Sequence, residues 1–263
     1  LSQGLSSLAR MGGQVNMAHS LGRGDPKAAT GFAQAALQLT ILFSLFVTLI
    51  SMLFTNPLLQ FFALNDAETY NSAKIYMRIT CGLILFSFLS QVLTGLFTAQ
   101  GDSKTPLKAN FFGLILNMIL DPLLVLGVGP FPRLEVVGAA VATVTAQIIV
   151  LLILVAEILR DHGEANVLRK IRLLSRPDII CVKGVFHIGV PTALQGSLYC
   201  IISMVLTRMV ASFGDGAIAV QRVGGQIESL SWNTADGFGS ALNAFMGQNY
   251  GAGKKDRIKS GYH

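Results

Sequence analysis

Six runs of mostly apolar residues, each long enough to cross a hydrocarbon core about 30 Å thick, leave this chain few folds to choose from. They lie near 34–55, 79–99, 107–128, 136–158, 185–212 and 217–248, and a half-helix rich in Gly, Ser and Ala, Leu1–Leu21, precedes them. The last run exceeds what a span requires, so it tilts, breaks or extends past the bilayer. Backbone groups in lipid must be paired internally, which restricts spans to helices or closed barrels, and no run alternates with the period of two that barrel strands need. The chain therefore reads as an all-α polytopic membrane protein. Composition agrees, since only 13% of residues are charged against about 25% in soluble domains.

Orientation follows from Lys and Arg. Basic residues crowd the segments 22–30, 100–108, 160–184 and 251–263, whereas the connections between them carry only Lys74, Arg78 and Arg133. Every second connection is basic, which places that set in the cytoplasm. The net charge of +6 is accounted for by these helix ends, so no nucleic-acid partner is expected; such a role would want one basic face with stacking aromatics. No signal peptide precedes Leu1 and the chain stops after a basic loop at His263. The expectation is a fragment of a longer membrane protein. Cys81, Cys181 and Cys200 are scattered and odd in number, outlining neither a disulfide framework nor a metal cluster.

The longest basic connection mixes Val167, Leu168, Ile171, Leu173 and Leu174 with Arg169, Lys170 and Arg172. It reads either as a short amphipathic segment on the membrane surface or as an ordinary basic loop.

One carboxylate stands out within the spans. Asp121 lies in the 107–128 run, with Asn117 four residues before it and Asn110 seven before that. At about 100° per residue the three side chains share a sector of about 40° on one helix face. An ionisable group at the centre of a span is costly and functional by default; the alternative is a cap or kink beside Pro122. A second polar stripe, Ser87, Gln91, Thr94 and Thr98, follows one face of the 79–99 run, and Thr143 and Gln147 share a face of the 136–158 run. Thr94, Thr98 and Gln147 are expected to make ordinary interhelical hydrogen bonds. In the last run Glu228, Trp232 and Asp236 recur at helical spacing. They fit either an organic cation held by charge and an indole face, or carboxylates paired with Arg208 or Arg222.

The chain also echoes itself. A shift of 229 positions carries Gly22-Arg23-Gly24 onto Gly251-Ala252-Gly253 and Met17 onto Met246. Parallel repeats of this kind are a transporter signature.

Enzymatic chemistry finds little footing. His19, His162, His187 and His263 are isolated, and the Gly-rich segment ending in Lys254-Lys255 lacks the spacing of a phosphate loop. No aspartate cluster suited to Mg²⁺ is present, so neither metal nor cofactor is expected, and an intramembrane enzyme ranks low. A passive channel would need a filter segment, and none is evident.

The stretches Ala99-Gln100-Gly101-Asp102-Ser103-Lys104-Thr105-Pro106, Leu116-Asn117-Met118-Ile119-Leu120-Asp121-Pro122-Leu123 and Val137-Gly138-Ala139-Ala140-Val141-Ala142-Thr143 resemble the multidrug and toxic compound extrusion (MATE) family. Ile188-Gly189-Val190-Pro191-Thr192 and Met246-Gly247-Gln248-Asn249-Tyr250-Gly251-Ala252-Gly253 extend the resemblance over essentially the whole chain. It implies twelve helices in two V-shaped lobes around a central cavity. Such proteins exchange cationic or amphipathic compounds against protons or sodium ions. On that template the chain runs from the end of helix 2 to helix 8, an incomplete two-lobe transporter. Residues 1–160 would belong to the amino-terminal lobe, 161–184 to a cytoplasmic interlobe linker and 185–263 to the start of the carboxyl-terminal lobe. The resemblance places Asn117 and Asp121 on the family's polar pair of helix 5, Thr143 on its helix 6 partner, and Gln91 on a helix 4 position that is often Asn. Together they form the implied coupling-ion site. The acidic residue of helix 1 would lie before Leu1. Gln195 and Tyr199 occupy the region of helix 7 where some members carry a glutamate; with Glu228, Trp232 and Asp236 they are the candidate contacts in the second lobe.

The expectation is therefore a monomeric, multi-pass efflux antiporter of a bacterial cytoplasmic membrane. The competing reading is a flippase for a lipid-linked saccharide, which should line its cavity with Arg or Lys to hold phosphate. The embedded charges are chiefly Asp121 and Glu228, which favours efflux, with Arg10 and Arg222 as exceptions.

Overall fold

The computed structural model describes residues 2–57, 67–127, 133–161, 167–173 and 175–262, and the regular elements among them are helical. In chain order they are α1 (Ser2–Gly22), α2 (Pro26–Leu53), α3 (Ala67–Gly82), α4 (Ile84–Ala99), α5 (Lys104–Leu126), α6 (Glu135–Arg160), a 3₁₀ turn (Leu168–Lys170), α7 (Ile179–Ala211), α8 (Asp215–Gly251) and α9 (Lys255–Tyr262). Leu1, Val128, His162, Leu174 and His263 lie outside the described residues.

Helix ends follow local chemistry. Gly24 adopts φ 74° and closes α1, after which Asp25 caps α2 by accepting from the Ala28 amide at 3.0 Å, with Pro26 in the first turn. Asp178 caps α7 through the Ile180 amide at 2.9 Å. Asp102 stands before α5 and accepts from the amides of Lys104 (3.0 Å) and Thr105 (3.1 Å). Burial works against its ionised form, but these hydrogen bonds and the nearby Lys108 charge outweigh it and hold the carboxyl below its ordinary range.

Four helices, α2, α5, α6 and α7, are long and apolar enough to cross a membrane, and α3 with α4 makes a fifth if the bent pair is one span. Two expectations need correction here. The predicted 79–99 run is not one straight helix, because the chain bends by 44° between α3 and α4. Thr48 of α2 donates to the Cys81 carbonyl at 2.9 Å beside that bend, supplying a side-chain donor where the helical ladder is broken. The 217–248 run forms the continuous 37-residue α8, but its many Gly, Ser, Asn and Gln residues, together with its charges, leave it too polar to join the set of apolar spans. At 1.5 Å per residue it measures about 55 Å, well beyond a hydrocarbon core.

The connection after α6 also departs from the surface-helix reading. Val167 and Leu168 are buried in the core shared by α1, α2, α4 and α6, joined at its margin by Ile171. Farther on, Gln38 of α2 donates to the carbonyls of Leu173 and Ser175, both at 2.8 Å. Val167, Leu168 and Ile171 are thus drawn into protein rather than spread on lipid, whereas Leu173 stays exposed.

α1 touches α2, α4, α7 and α8. Small residues make this possible: Ala9, Ala18, Ala29, Ala33 and Ala36 are fully buried around Met17 and Leu96. The repeat seen in the sequence is realised in the backbone. The Gly24 amide bonds the Leu21 carbonyl (3.0 Å) and the Asp25 amide that of Ser20 (3.0 Å). One repeat later Gly253 bonds Tyr250 (3.1 Å) and Lys254 bonds Asn249 (2.9 Å), with Gly253 at φ 71°.

The equivalent ends of α1 and α8 then cross each other. A methyl group on Gly22 would fall on the Gln248 carbonyl, and one on Gly251 on the His19 carbonyl, the matching pair under the same shift. On Gly247 it would meet the Ala18 methyl at 2.9 Å, again a matched pair. Gln248 also donates to the Ala99 carbonyl at 2.7 Å, so the 22–25, 100–103 and 251–254 turns gather at one end of the bundle, as the charge pattern requires. Because neither backbone can yield, Gly22→Val and Gly251→Val should each destabilise the intact protein by about 1–3 kcal/mol, seen as a lower unfolding temperature in detergent. Gly216→Val, at a position with open space around it, is the control expected to change little.

Candidate functional site: a polar cavity between α1, α4, α5 and α6

A cavity of about 370 Å³ opens among these four helices. α4 contributes Ser87, Ser90, Gln91 and Thr94; α5 contributes Asn110, Gly113, Leu114 and Asn117; α6 contributes Thr143, Ala146, Gln147 and Val150; α1 adds Arg10. The three polar stripes read from the sequence therefore meet around one space. Gly113 lets this happen, because a Cβ there would collide with Val150 of α6.

The wall is organised by amides and hydroxyls. Ser6 of α1 donates to Gln91 Oε1 at 3.1 Å, and Gln91 Nε2 donates to Ser87 Oγ at 3.4 Å. Ser90 Oγ donates to the Gln147 carbonyl at 3.4 Å, joining α4 to α6. Asn110 Nδ2 donates to the Pro106 carbonyl (2.8 Å) and to Thr94 Oγ1 (3.5 Å). Thr98 points its hydroxyl at the Thr94 carbonyl of its own helix, 2.8 Å away, and so leaves the stripe that periodicity assigned it.

Two groups on α5 differ from this pattern. Asn117 Nδ2 and Asp121 Oδ1 are buried and have no hydrogen-bond partner. An unmade bond of this kind costs roughly 1–3 kcal/mol, more for a charged group, so both atoms are primed to take a ligand. Asn117 and Thr143 share the cavity wall with Gln91, whereas Asp121 stands one turn farther along α5 and is not part of the wall.

The residues proposed for the second lobe do not join this cavity. Gln195 and Tyr199 lie on the exposed side of α7. On α8 the Trp232 indole donates to Glu228 Oε1 at 2.9 Å, both side chains being exposed. Asp236 pairs with neither Arg208 nor Arg222; its Oδ2 lies 3.8 Å from Nη2 of Arg10. The cavity's charge is thus basic, where the sequence suggested Asp121 and Glu228 as the chief embedded charges. Ser6, Arg10 and Gln14, all on α1, were missed as site residues; the helical spacing of these three polar groups was the available signal. Gln14 Nε2 reaches across to the Ser240 carbonyl (3.1 Å) and hydroxyl (3.3 Å). Among the described residues no group of three or more His, Cys, Asp or Glu could hold a metal ion.

A family model described as MatE matches residues 3–123 and 191–262. The FAD transporter of Shewanella oneidensis is 29% identical over 94% of this chain and 54% of its own length. The probable multidrug resistance protein NorM of Thermotoga maritima is 30% identical, over 95% of this chain and 53% of that protein. The chain thus spans about half the length of the curated relatives it matches. Among solved structures, the outward-facing conformation of a multidrug resistance MATE family transporter of the MOP superfamily superposes with a TM-score of 0.85 at 23% identity, covering 99% of this chain and 56% of the other. A MOP superfamily transporter from Pyrococcus furiosus, described as having a binding pocket of reversed polarity that suggests a different function, gives 0.84 at 21% identity, covering 99% and 56%.

If water fills the cavity, cysteines on its wall should react with a water-soluble thiol reagent. In a background lacking the three native cysteines, Asn117→Cys and Thr143→Cys should label roughly tenfold faster than Met118→Cys, which faces outward, since thiols react as solvated thiolates. Equal labelling at all three positions would remove the cavity from consideration.

Proposed function

The chain belongs to the MatE family of multi-pass, all-helical membrane transporters of the bacterial cell membrane, whose members are not enzymes, and from that premise we propose that the intact protein exports cationic or amphipathic compounds by antiport with protons or sodium ions. The supporting observation is the buried, unpartnered Asp121 Oδ1 on α5, one turn from a polar cavity. Asp121 carries the exchangeable charge in this reading. Asn117, Thr143 and Gln91 offer neutral oxygens and amides that hold a hydrated or partly dehydrated ion without fixing it. Hard cations such as sodium are bound by just such oxygen ligands, and a proton needs only the carboxylate.

Antiport demands that ion and cargo bias the protein toward opposite openings, and the coupling must be reciprocal. The repeat supports a division into residues 1–160, a linker at 161–184 and residues 185–263, with α1 and α8 meeting at the seam. Gln195, Tyr199, Glu228, Trp232 and Asp236 would then lie on the second lobe's side of that seam, available to cargo rather than to the coupling ion.

A second reading, export or flipping of a phosphate-bearing molecule, has one observation in its favour: Arg10 stands on the cavity wall. The Shewanella relative is named for a dinucleotide, which carries phosphates, so such cargo falls within the range to be tested.

In the intact transporter, Asp121→Asn keeps the shape and hydrogen bonding of the side chain but removes its titratable charge. It should reduce gradient-driven efflux from loaded vesicles to the background rate while membrane insertion persists. Asn117→Ala should weaken efflux without abolishing it. Wild-type rates in Asp121→Asn under an imposed ion gradient would make this carboxylate purely structural.

A further inference from the structure

Arg10 is the one charged side chain among the described residues that line the cavity. It lies twelve positions before Gly22, so its Cα stands about 18 Å from the basic end of α1. That is near mid-depth in a hydrocarbon core about 30 Å thick, where a cation is costly and seldom idle. The fold makes room for it. A Cβ on Gly95 of α4 would come within 2.9 Å of Arg10 Cγ, so the glycine is the notch in which the arginine stem lies.

Its hydrogen bonding is far from complete. A guanidinium has five N–H donors in a planar fork. Here Nε is buried with no acceptor, and the contact to Asp236 is 3.8 Å long, beyond hydrogen-bond range. The Asp236 side chain is 76% exposed against 25% for Arg10, and at this distance the carboxylate does little to neutralise the cation. On the same cavity wall Asn117 Nδ2 is a second buried donor without an acceptor. No carboxylate lines the cavity among the described residues. Unmet donors around a cation describe a receptor for an oxyanion, which a guanidinium can grip with two parallel bonds.

We infer that Arg10, with Asn117 also lining the cavity, forms a binding subsite for the carboxylate or phosphate group of an amphipathic cargo, and that Asp236 competes with this group for the guanidinium. The inference rests on the transport reading of the cavity and narrows it, assigning the cavity to cargo that carries an anionic group. Asp236 lies on α8 and Arg10 on α1, so an arriving anion trades a contact across the seam for one within the first helical set.

The test is equilibrium binding to the purified intact transporter, read by fluorescence anisotropy, of two dyes with a common xanthene ring and opposite charge. Fluorescein should bind the wild type and be displaced by inorganic phosphate. Arg10→Gln should weaken fluorescein about tenfold or more, with Arg10→Lys intermediate, and should not weaken cationic rhodamine 6G. Asp236→Asn should tighten fluorescein, because the competing carboxylate is gone. A merely structural ion pair makes the opposite forecast, since losing either partner should then act in the same direction on both dyes, and that result overturns the subsite. Should Arg10→Gln fail to fold, unchanged or weaker fluorescein binding in Asp236→Asn overturns it alone. Rhodamine 6G binding without fluorescein binding in the wild type removes the anion subsite and leaves the transport reading in place; binding of neither dye removes both.

Discussion

Close approach of α1 to its neighbours is the constraint on which the remaining structure depends. Along one side of this helix, Gly12 lies where any methyl would meet the Val185 carbonyl and Gly22 where it would meet that of Gln248. In return Gly189 of α7 leaves space for the Leu8 carbonyl, and Gly251 of α8 for that of His19. Lipid offers no hydrophobic drive for helices to associate, so contact must come from van der Waals fit and interhelical hydrogen bonds. Both are present: backbone meets backbone at the glycines, while Asn16 Nδ2 bonds the Gly184 carbonyl at 3.0 Å and Gln14 bonds Ser240. The other side of α1 packs alanines against α2 and α4. Placed between these groups, α1 brings Arg10 to the cavity and Ser6 to the back of Gln91, which neither neighbour could do.

Much of this was legible in the sequence, for reasons that differ by element. Span positions were readable because lipid tolerates only long apolar helices, and α2, α5, α6 and α7 follow the predicted runs, with α2 beginning eight residues and α7 six residues earlier than predicted. Polar stripes were readable because a membrane helix shows few polar groups, so the spacings of Ser87, Gln91 and Thr94, or of Asn110 and Asn117, stand out. The 229-residue echo was readable because the turns need glycine at positive φ, as Gly24 and Gly253 show. What stayed hidden was pairing between elements. Nothing in the sequence links Thr48 to the Cys81 carbonyl, draws Val167 and Leu168 inward, or tells Asp236 that its neighbour is Arg10 rather than Arg208 or Arg222. Arg10 lies in one of the more polar helices of the first lobe, where a charge attracts less notice than Asp121 does among leucines.

The two unusual charges differ in what their surroundings ask of them. Asp121 has one oxygen enclosed without a hydrogen-bond partner, which leaves a place for a small cationic ligand. Arg10 cannot surrender its proton, so its only relief is an acceptor. One site is thus suited to a small exchangeable cation and the other to the anionic end of a larger molecule. They occupy different places, Asp121 beyond the cavity wall and Arg10 on it. Asn117 is common to both sites, so ion and cargo avoid competing there only if the protein changes shape between the two events.

The seam between α1 and α8 is where such a change would be felt. At the end marked by Gly22 and Gly251 the contact is backbone on backbone, rigid and indifferent to charge. Toward mid-membrane it passes to Gln14 with Ser240, then to Arg10 with Asp236, each step more polar and longer. A hinge with its tight end at the cytoplasmic turns and its loose end at an ion pair opens most readily from the loose end. An anion that takes Arg10 away from Asp236 removes the weakest of these contacts first. It does so at the place where the lever arm, about 18 Å from the glycine crossing, is longest among the three. A single long ion pair contributes little to stability when one partner is exposed, so its loss leaves the fold intact while changing how firmly the two helices are held together above the crossing.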